Sequence, residues 1–194
     1  MKYKNSLTEM GKMHKSNQRL HDFAKNVTSQ YGEDGIIEKV LETVTDNDNW
    51  CVEFGAWDGK LFSNTYNLIN NKDYSAVLIE ADSRKFRDLL TTYKKNSKVI
   101  PLNAFVGFEK ESSLDALLEP TDIPVNFDFL SIDIDGNDYH VWQAVQNYKP
   151  KVVCIEYNPT ISNKVDFVQE PDIEINQGSS LLLLINLRKE RAMS

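Results

Sequence analysis

Cys51-Val-Glu-Phe-Gly-Ala-Trp-Asp-Gly59 carries a short apolar run straight into a glycine turn. Cys51 to Phe54 reads as a strand, and Gly55 and Gly59 follow it with Asp58 between them. A glycine at the first turn position lets the chain bend sharply and bring bare backbone against a ligand. Such a turn predicts a helix opening behind it, with free N–H groups facing the bound group. Glycine spacings of this kind are common by chance, so the weight comes from a second feature. Ala76-Val-Leu-Ile-Glu80 is another apolar strand ending in a carboxylate, about twenty residues further on, where a βαβ unit keeps an acid for ribose hydroxyls. Together the two features predict a site for a nucleoside-containing cofactor.

The alternation continues downstream. Val99-Ile-Pro-Leu102 is a short strand that Pro101 marks as an edge. Phe127 to Asp133 and Lys151 to Glu156 supply a fourth and a fifth strand. Helical spacing appears at Ile36, Ile37, Val40, Leu41 and Val44, and again at Phe86, Leu89, Leu90 and Tyr93. Leu114, Leu117 and Leu118 follow a serine-rich start suited to capping, and Val141, Trp142, Val145 and Tyr148 form a stripe that Pro150 ends. Strands alternating with helices predict an α/β fold, a Rossmann-like doubly wound and mostly parallel sheet.

Composition bounds the function. At 194 residues the chain suits one domain, expected over residues 27–194 behind a flexible arm at 1–26. A net charge of −7 argues against a nucleic-acid duplex or an anionic membrane as partner. No apolar run approaches membrane-spanning length, and the first residues lack a signal-peptide core, so a cytoplasmic location is expected. Cys51 and Cys154 fall on strands one and five, which the fourth strand should separate, predicting two reduced, buried thiols.

Asp133-Ile-Asp-Gly-Asn-Asp138 carries three acids at the end of the fourth strand, beside the switch point where open α/β sheets bind ligands. Three carboxylates so close are able to take a proton from a substrate hydroxyl, hold a divalent ion such as Mg²⁺, or orient a sulfonium. Asp133 and Asp135 are the leading proton acceptors, with His140 as a weaker alternative base; Asp133, Asp135 and Asp138 are the possible metal set. Turn chemistry and helix capping also use this composition, so at least one of the acids is expected to serve only as a cap. A calcium loop is rejected: Gly136 is misplaced, and Ala144 stands where the glutamate should be. His14 and His21 lie in the arm and carry no signal. The stretch Tyr157 to Ser180 is long for a connection and reads either as a lid beside these acids or as a disordered link.

The glycine-turn stretch, Val77-Leu-Ile-Glu-Ala-Asp-Ser83, Asp128-Phe-Leu-Ser-Ile-Asp-Ile-Asp-Gly-Asn-Asp138 and Val152-Val-Cys-Ile-Glu-Tyr-Asn-Pro-Thr160 resemble the class I S-adenosylmethionine-dependent methyltransferases, and within them the FkbM-like group. Ser29-Gln-Tyr-Gly-Glu-Asp-Gly35 strengthens the likeness, which spans about residues 27 to 185. The resemblance implies S-adenosylmethionine as cofactor and O-methylation of a small-molecule or sugar hydroxyl. It implies that Glu53, Gly55, Ala56 and Gly59 line the methionine end, with Asp133 beside it. Glu80, next to Ala81, would hold the ribose, and Asn103, Ala104 and Phe105 would flank the adenine. Gln30 and Tyr31 are candidates to close over the methionine end, and Trp57 either packs beneath the glycine turn or touches the cofactor. Asn158-Pro159 follows strand five, whereas amino-group methyltransferases carry such a pair after strand four; this favours oxygen as the acceptor atom.

One departure stands out. Family members end in two further strands that complete the sheet edge, whereas here the helical stretch Ser180 to Arg191 is followed only by residues up to Ser194. An uncovered fifth strand predicts self-association, and it keeps open a second reading, a non-catalytic S-adenosylmethionine-binding module. A third reading, a nicotinamide-dependent NAD(P) oxidoreductase, is disfavoured because the turn lacks the close third glycine.

Overall fold

The computed structural model describes residues 18–191. Strands β1 (Trp50–Phe54), β2 (Ser75–Ile79), β3 (Val99–Leu102), β4 (Phe129–Ile132) and β5 (Val152–Ile155) form one all-parallel sheet in the order β3-β2-β1-β4-β5. The fold is α/β with the expected strand alternation. The order reverses between β1 and β4, the place where helices leave for opposite faces and a crevice opens above the carboxyl ends.

Both faces are covered, as the near-continuous apolar runs of the strands require. One face carries α1 (Glu33–Leu41), α2 (Tyr66–Asn71) and α3 (Ser83–Thr92), which pack Leu41, Leu68 and Leu89 against Cys51, Ala76, Leu78 and Phe129. The other carries α4 (Leu114–Leu118), α5 (Asp138–Ala144) and α6 (Leu181–Arg191), which pack Leu118, Val141, Trp142, Leu184 and Leu187 against Val52, Phe54, Ile79, Leu130 and Ile132. Alternate strand residues thus serve alternate helical layers, the period of two expected of β-structure. Asp82 caps α3 by accepting from the Arg84 and Lys85 amides, and Ser113 caps α4 through the Ala116 amide.

Several expectations change in detail. No helix opens directly behind the glycine turn: an irregular loop runs from Gly55 to Asn64 before α2 begins. The reason lies in Glu53, described below. Helix α5 stops at Ala144, so Val145 and Tyr148 are buried beyond its end and not on it. Of the segment expected as an arm, residues 1–17, with His14, lie outside the described residues. Leu20–Phe23 is a short 3-10 turn, and Lys25 both donates to the Gly32 carbonyl and accepts from the Gly35 amide. Cys51 and Cys154 are free and β4 separates their strands; Cys51 is buried, Cys154 only half-buried because β5 has a single neighbour among the described strands. No helix among the described residues is long and apolar enough to cross a membrane.

The amino-terminal end of the sheet is closed by a buried charge. Asp128 is fully buried, accepts from the Asp48 and Asn49 amides at 3.0 and 2.8 Å, and pairs with the Lys151 ammonium at 2.7 Å. Removing the carboxylate leaves two amides without their acceptor, while Lys151 keeps the Asp48 carboxylate at 2.9 Å. Asp128→Ala is expected to lower unfolding stability by about 2 kcal/mol, read as a fall in the urea midpoint without a change in slope.

Candidate functional site

The residue that follows each strand stands at the carboxyl end of the sheet: Gly55, Glu80, Asn103, Asp133 and Glu156 after β1 to β5. Two cavities lie at this end, and Asn176 lines both.

The first cavity is mostly apolar. Gly55, Glu80, Ala81, Ala104 and Phe105, all expected cofactor residues, line it together with Ile134, Val141 and Ile173. Gly55 has φ +70°, a conformation L side chains rarely adopt, and a Cβ there would stand a tight 3.1 Å from the Asp133 carbonyl oxygen. Glu80 is buried, and its carboxylate accepts from the Trp57 amide at 2.8 Å and the Asp82 amide at 2.7 Å. One hydrogen bond per oxygen leaves acceptor capacity on both.

The other expected cofactor residues do not line this cavity. Glu53 is buried beneath the glycine loop and accepts from the Ser63 hydroxyl, the Thr65 hydroxyl and the Asn64 amide at 2.6, 2.6 and 2.8 Å. It gathers residues 63–65, and the loop therefore detours around it before α2 starts. Burial raises the Glu53 carboxyl above the ordinary carboxylate range against these three hydrogen bonds, and the Asp133 charge adds to the rise. Ala56 packs into the core below, and Gly59 presses on Leu89 and Tyr93 of the α3 layer. Asn103 bridges strand ends, donating to the Glu80 and Ala81 carbonyls at 2.7 and 3.2 Å. Gln30 and Tyr31 are exposed, Tyr31 by 83%, and line neither cavity. Trp57 lies outside the cavity under the Lys85 ammonium, 4.5 Å from its ring centre. In Ser29-Gln-Tyr-Gly-Glu-Asp-Gly35 the structural role falls to Asp34, whose Oδ2 accepts from the Val27, Thr28 and Ser29 amides.

The second cavity is polar. Asp135, Asp138, Glu156, Asn158, Gln177 and Gly178 line it. One carboxylate oxygen each from Asp133, Asp135 and Glu156 lies within 4.8 Å of the others. Asp138 is not part of that triad: it accepts from the Ile134 amide at 3.1 Å and the Gly136 amide at 2.9 Å, the turn-capping role expected of one acid. Glu156 takes its place, a residue missed by the sequence reading although it stands at a strand end just as Glu80 and Asp133 do. Partial burial, then the charges of Asp133, Asp138 and Asp135, push the Glu156 carboxyl up to about 7. All three acids of the triad are exposed residues. Partial burial, then Asp135 and Glu33, raises the Asp133 carboxyl as well.

His140 is turned away from the acids. Its Nε2 lies 2.8 Å from the main-chain oxygen of Gln169, which only accepts, so that nitrogen is the donor. Phe108 and Tyr139 flank the ring. Residues 157–180 are ordered along the site: Asn158 N–H donates to the Ser179 oxygen, and Gln169 is 98% buried by the complement of its 2% exposure.

No protein-family model matches the chain, and no curated protein matches it either.

Because the folded state holds the Glu156 proton more tightly than the unfolded chain, the carboxylate costs stability once it ionises. That penalty is absent below the ordinary carboxylate value of 4.5 and grows as pH rises to about 7. Urea midpoints at pH 5 and pH 8 are expected to show the wild type losing stability as pH rises, and Glu156→Gln losing less.

Proposed function

We propose that this chain is an S-adenosylmethionine-dependent O-methyltransferase acting on a hydroxyl of a small molecule or sugar. The observation that carries the reading is the meeting of Gly55, Glu80, Ala104 and Phe105 on one largely apolar cavity, next to an acid-lined cavity that shares Asn176 with it. Apolar walls with a few convergent polar groups suit a nucleoside. The unused acceptor capacity of Glu80 suits ribose hydroxyls, and Ala104 and Phe105 suit the faces of a base.

When bound, S-adenosylmethionine supplies a methyl group already activated on a positively charged sulfur. The chain then has to hold the acceptor hydroxyl in line and remove its proton. Glu156 takes that proton in this reading. It lines the polar cavity, and a carboxyl near 7 is matched to work at neutral pH. Partial burial, and then the charges of Asp133, Asp138 and Asp135, keep it there. Among the described residues, the polar cavity is lined by acids, amides and Tyr157 and by no Lys or Arg side chain, which favours a neutral polyhydroxyl acceptor over an anionic one.

Calorimetric titration with S-adenosylhomocysteine tests the cofactor half. Binding is expected, weakened about tenfold or more in Glu80→Gln; stabilisation by reduced nicotinamide instead would make the chain an oxidoreductase, and S-adenosylhomocysteine binding without turnover on any hydroxyl panel would make it a binding module. For the proton acceptor, methyl transfer should rise with pH through about 7, and Glu156→Gln should lose roughly 10² to 10⁴ in kcat together with that rise. The rate is expected to survive chelation; a loss restored by Mg²⁺ would move Asp133, Asp135 and Glu156 to an ion-binding role.

A further inference from the structure

Gln169 has no neighbour in sequence that announces a function, yet its side chain is among the most completely buried and bonded in the molecule. Its Nε2 donates to the Asn137 Oδ1 at 3.2 Å and to the Ile175 carbonyl at 2.9 Å. Its Oε1 accepts from the Gln177 amide at 3.0 Å and the Gly178 amide at 2.6 Å. Its main-chain oxygen meets His140. One amide therefore uses both donors and both lone pairs, and every partner lies either on the approach to α5 or on the strap from Asp172 to Gly178.

The strap has two further ties. Asn137 Nδ2 donates to the Asp172 carbonyl at 2.9 Å, and Asn158 Nδ2 donates to the Gln177 carbonyl at 2.7 Å. Gly136 has φ +149°, and a Cβ on it would stand 2.7 Å from the Ile175 carbonyl oxygen and 3.1 Å from the Asn176 Cα. The turn that carries Asp135 and the strap are thus in backbone contact. Ile173 faces the apolar cavity, Gln177 and Gly178 face the polar one, and Asn176 belongs to both.

We propose that Gln169 is a positioning residue of this site, holding the Asp172–Gly178 strap as the partition between the apolar cavity and the acid-lined cavity. A buried, fully bonded amide is costly to disrupt and defines one arrangement of its partners. The strap position then fixes how far the two cavities stand apart. The ligand arm of the test rests on the function proposed above; the exchange arm does not.

The volume-conserving Gln169→Met removes all four side-chain hydrogen bonds, and Gly136→Ala presses on the Ile175 oxygen, Asn176 and the Gln169 Oε1 together. Each is expected to accelerate hydrogen exchange at the Gln177 and Gly178 amides by about tenfold or more and to weaken S-adenosylhomocysteine by about tenfold. The thermal midpoint should move by only a few degrees, roughly what the loss of local bonds alone costs. Unchanged exchange at those amides overturns the assignment, as does faster exchange with unchanged affinity. If the wild type does not bind S-adenosylhomocysteine while exchange responds in both variants, the methyltransferase reading fails and the positioning role stands. Should Gln169→Met not fold, Gly136→Ala gives the same two readouts.

Discussion

Parallel pairing of β1 between β2 and β4 is the constraint on which the rest of the structure depends. In a parallel sheet every strand points the same way, so the first residue after each strand arrives at the same edge. Here those residues are Gly55, Glu80, Asn103, Asp133 and Glu156. Helices leave for opposite faces on either side of the β1–β4 boundary, and the crevice between them collects whatever the strand ends present. Gly55 sharpens this: with no side chain between it and the Asp133 carbonyl, the two central strand ends diverge from a close contact.

The edge so formed is rich in carboxylates, and the fold divides them between two tasks. Glu53 and Asp138 are buried and spend both oxygens on backbone amides and hydroxyls that define loops, and buried Asp34 does the same through Oδ2 alone. Asp133, Asp135 and Glu156 are left close to one another, and partial burial together with neighbouring charge raises the Asp133 and Glu156 carboxyls. Glu80 does both, ordering the Trp57 amide while forming part of a cavity wall. Loop order and site chemistry therefore share one stock of acids, and a sequence pattern alone does not say which acid has which task.

That division explains which parts of the site were legible beforehand. Gly55, Glu80, Ala104 and Phe105 meet on one cavity because they sit at fixed offsets from apolar strands, and the offset is itself the physical cause of their position. Glu53 lies off that cavity because its side chain points down into the α1–α2 layer, where it meets Ser63 and Thr65. The placement of His140 was not legible because its partner, the Gln169 oxygen, lies on a loop with no periodic pattern. Gln30 and Tyr31 are exposed on the turn whose Ser29 amide Asp34 accepts.

Apolar runs, turn residues and capping serines are local, so the sequence by itself determined the five strands, their alternation with helices and the strand ends on which an acid or glycine falls. Tertiary structure decided everything that depends on distance between remote segments. It decided that Glu156 and not Asp138 joins Asp133 and Asp135, because β5 pairs with β4 and carries its following residue alongside. It also decided that residues 157–180 form an ordered wall, because one buried amide at Gln169 finds partners on α5's approach and on its own strap. Hydrogen bonds between segments far apart in the chain leave no period in the sequence, and only the folded backbone brings their partners within reach.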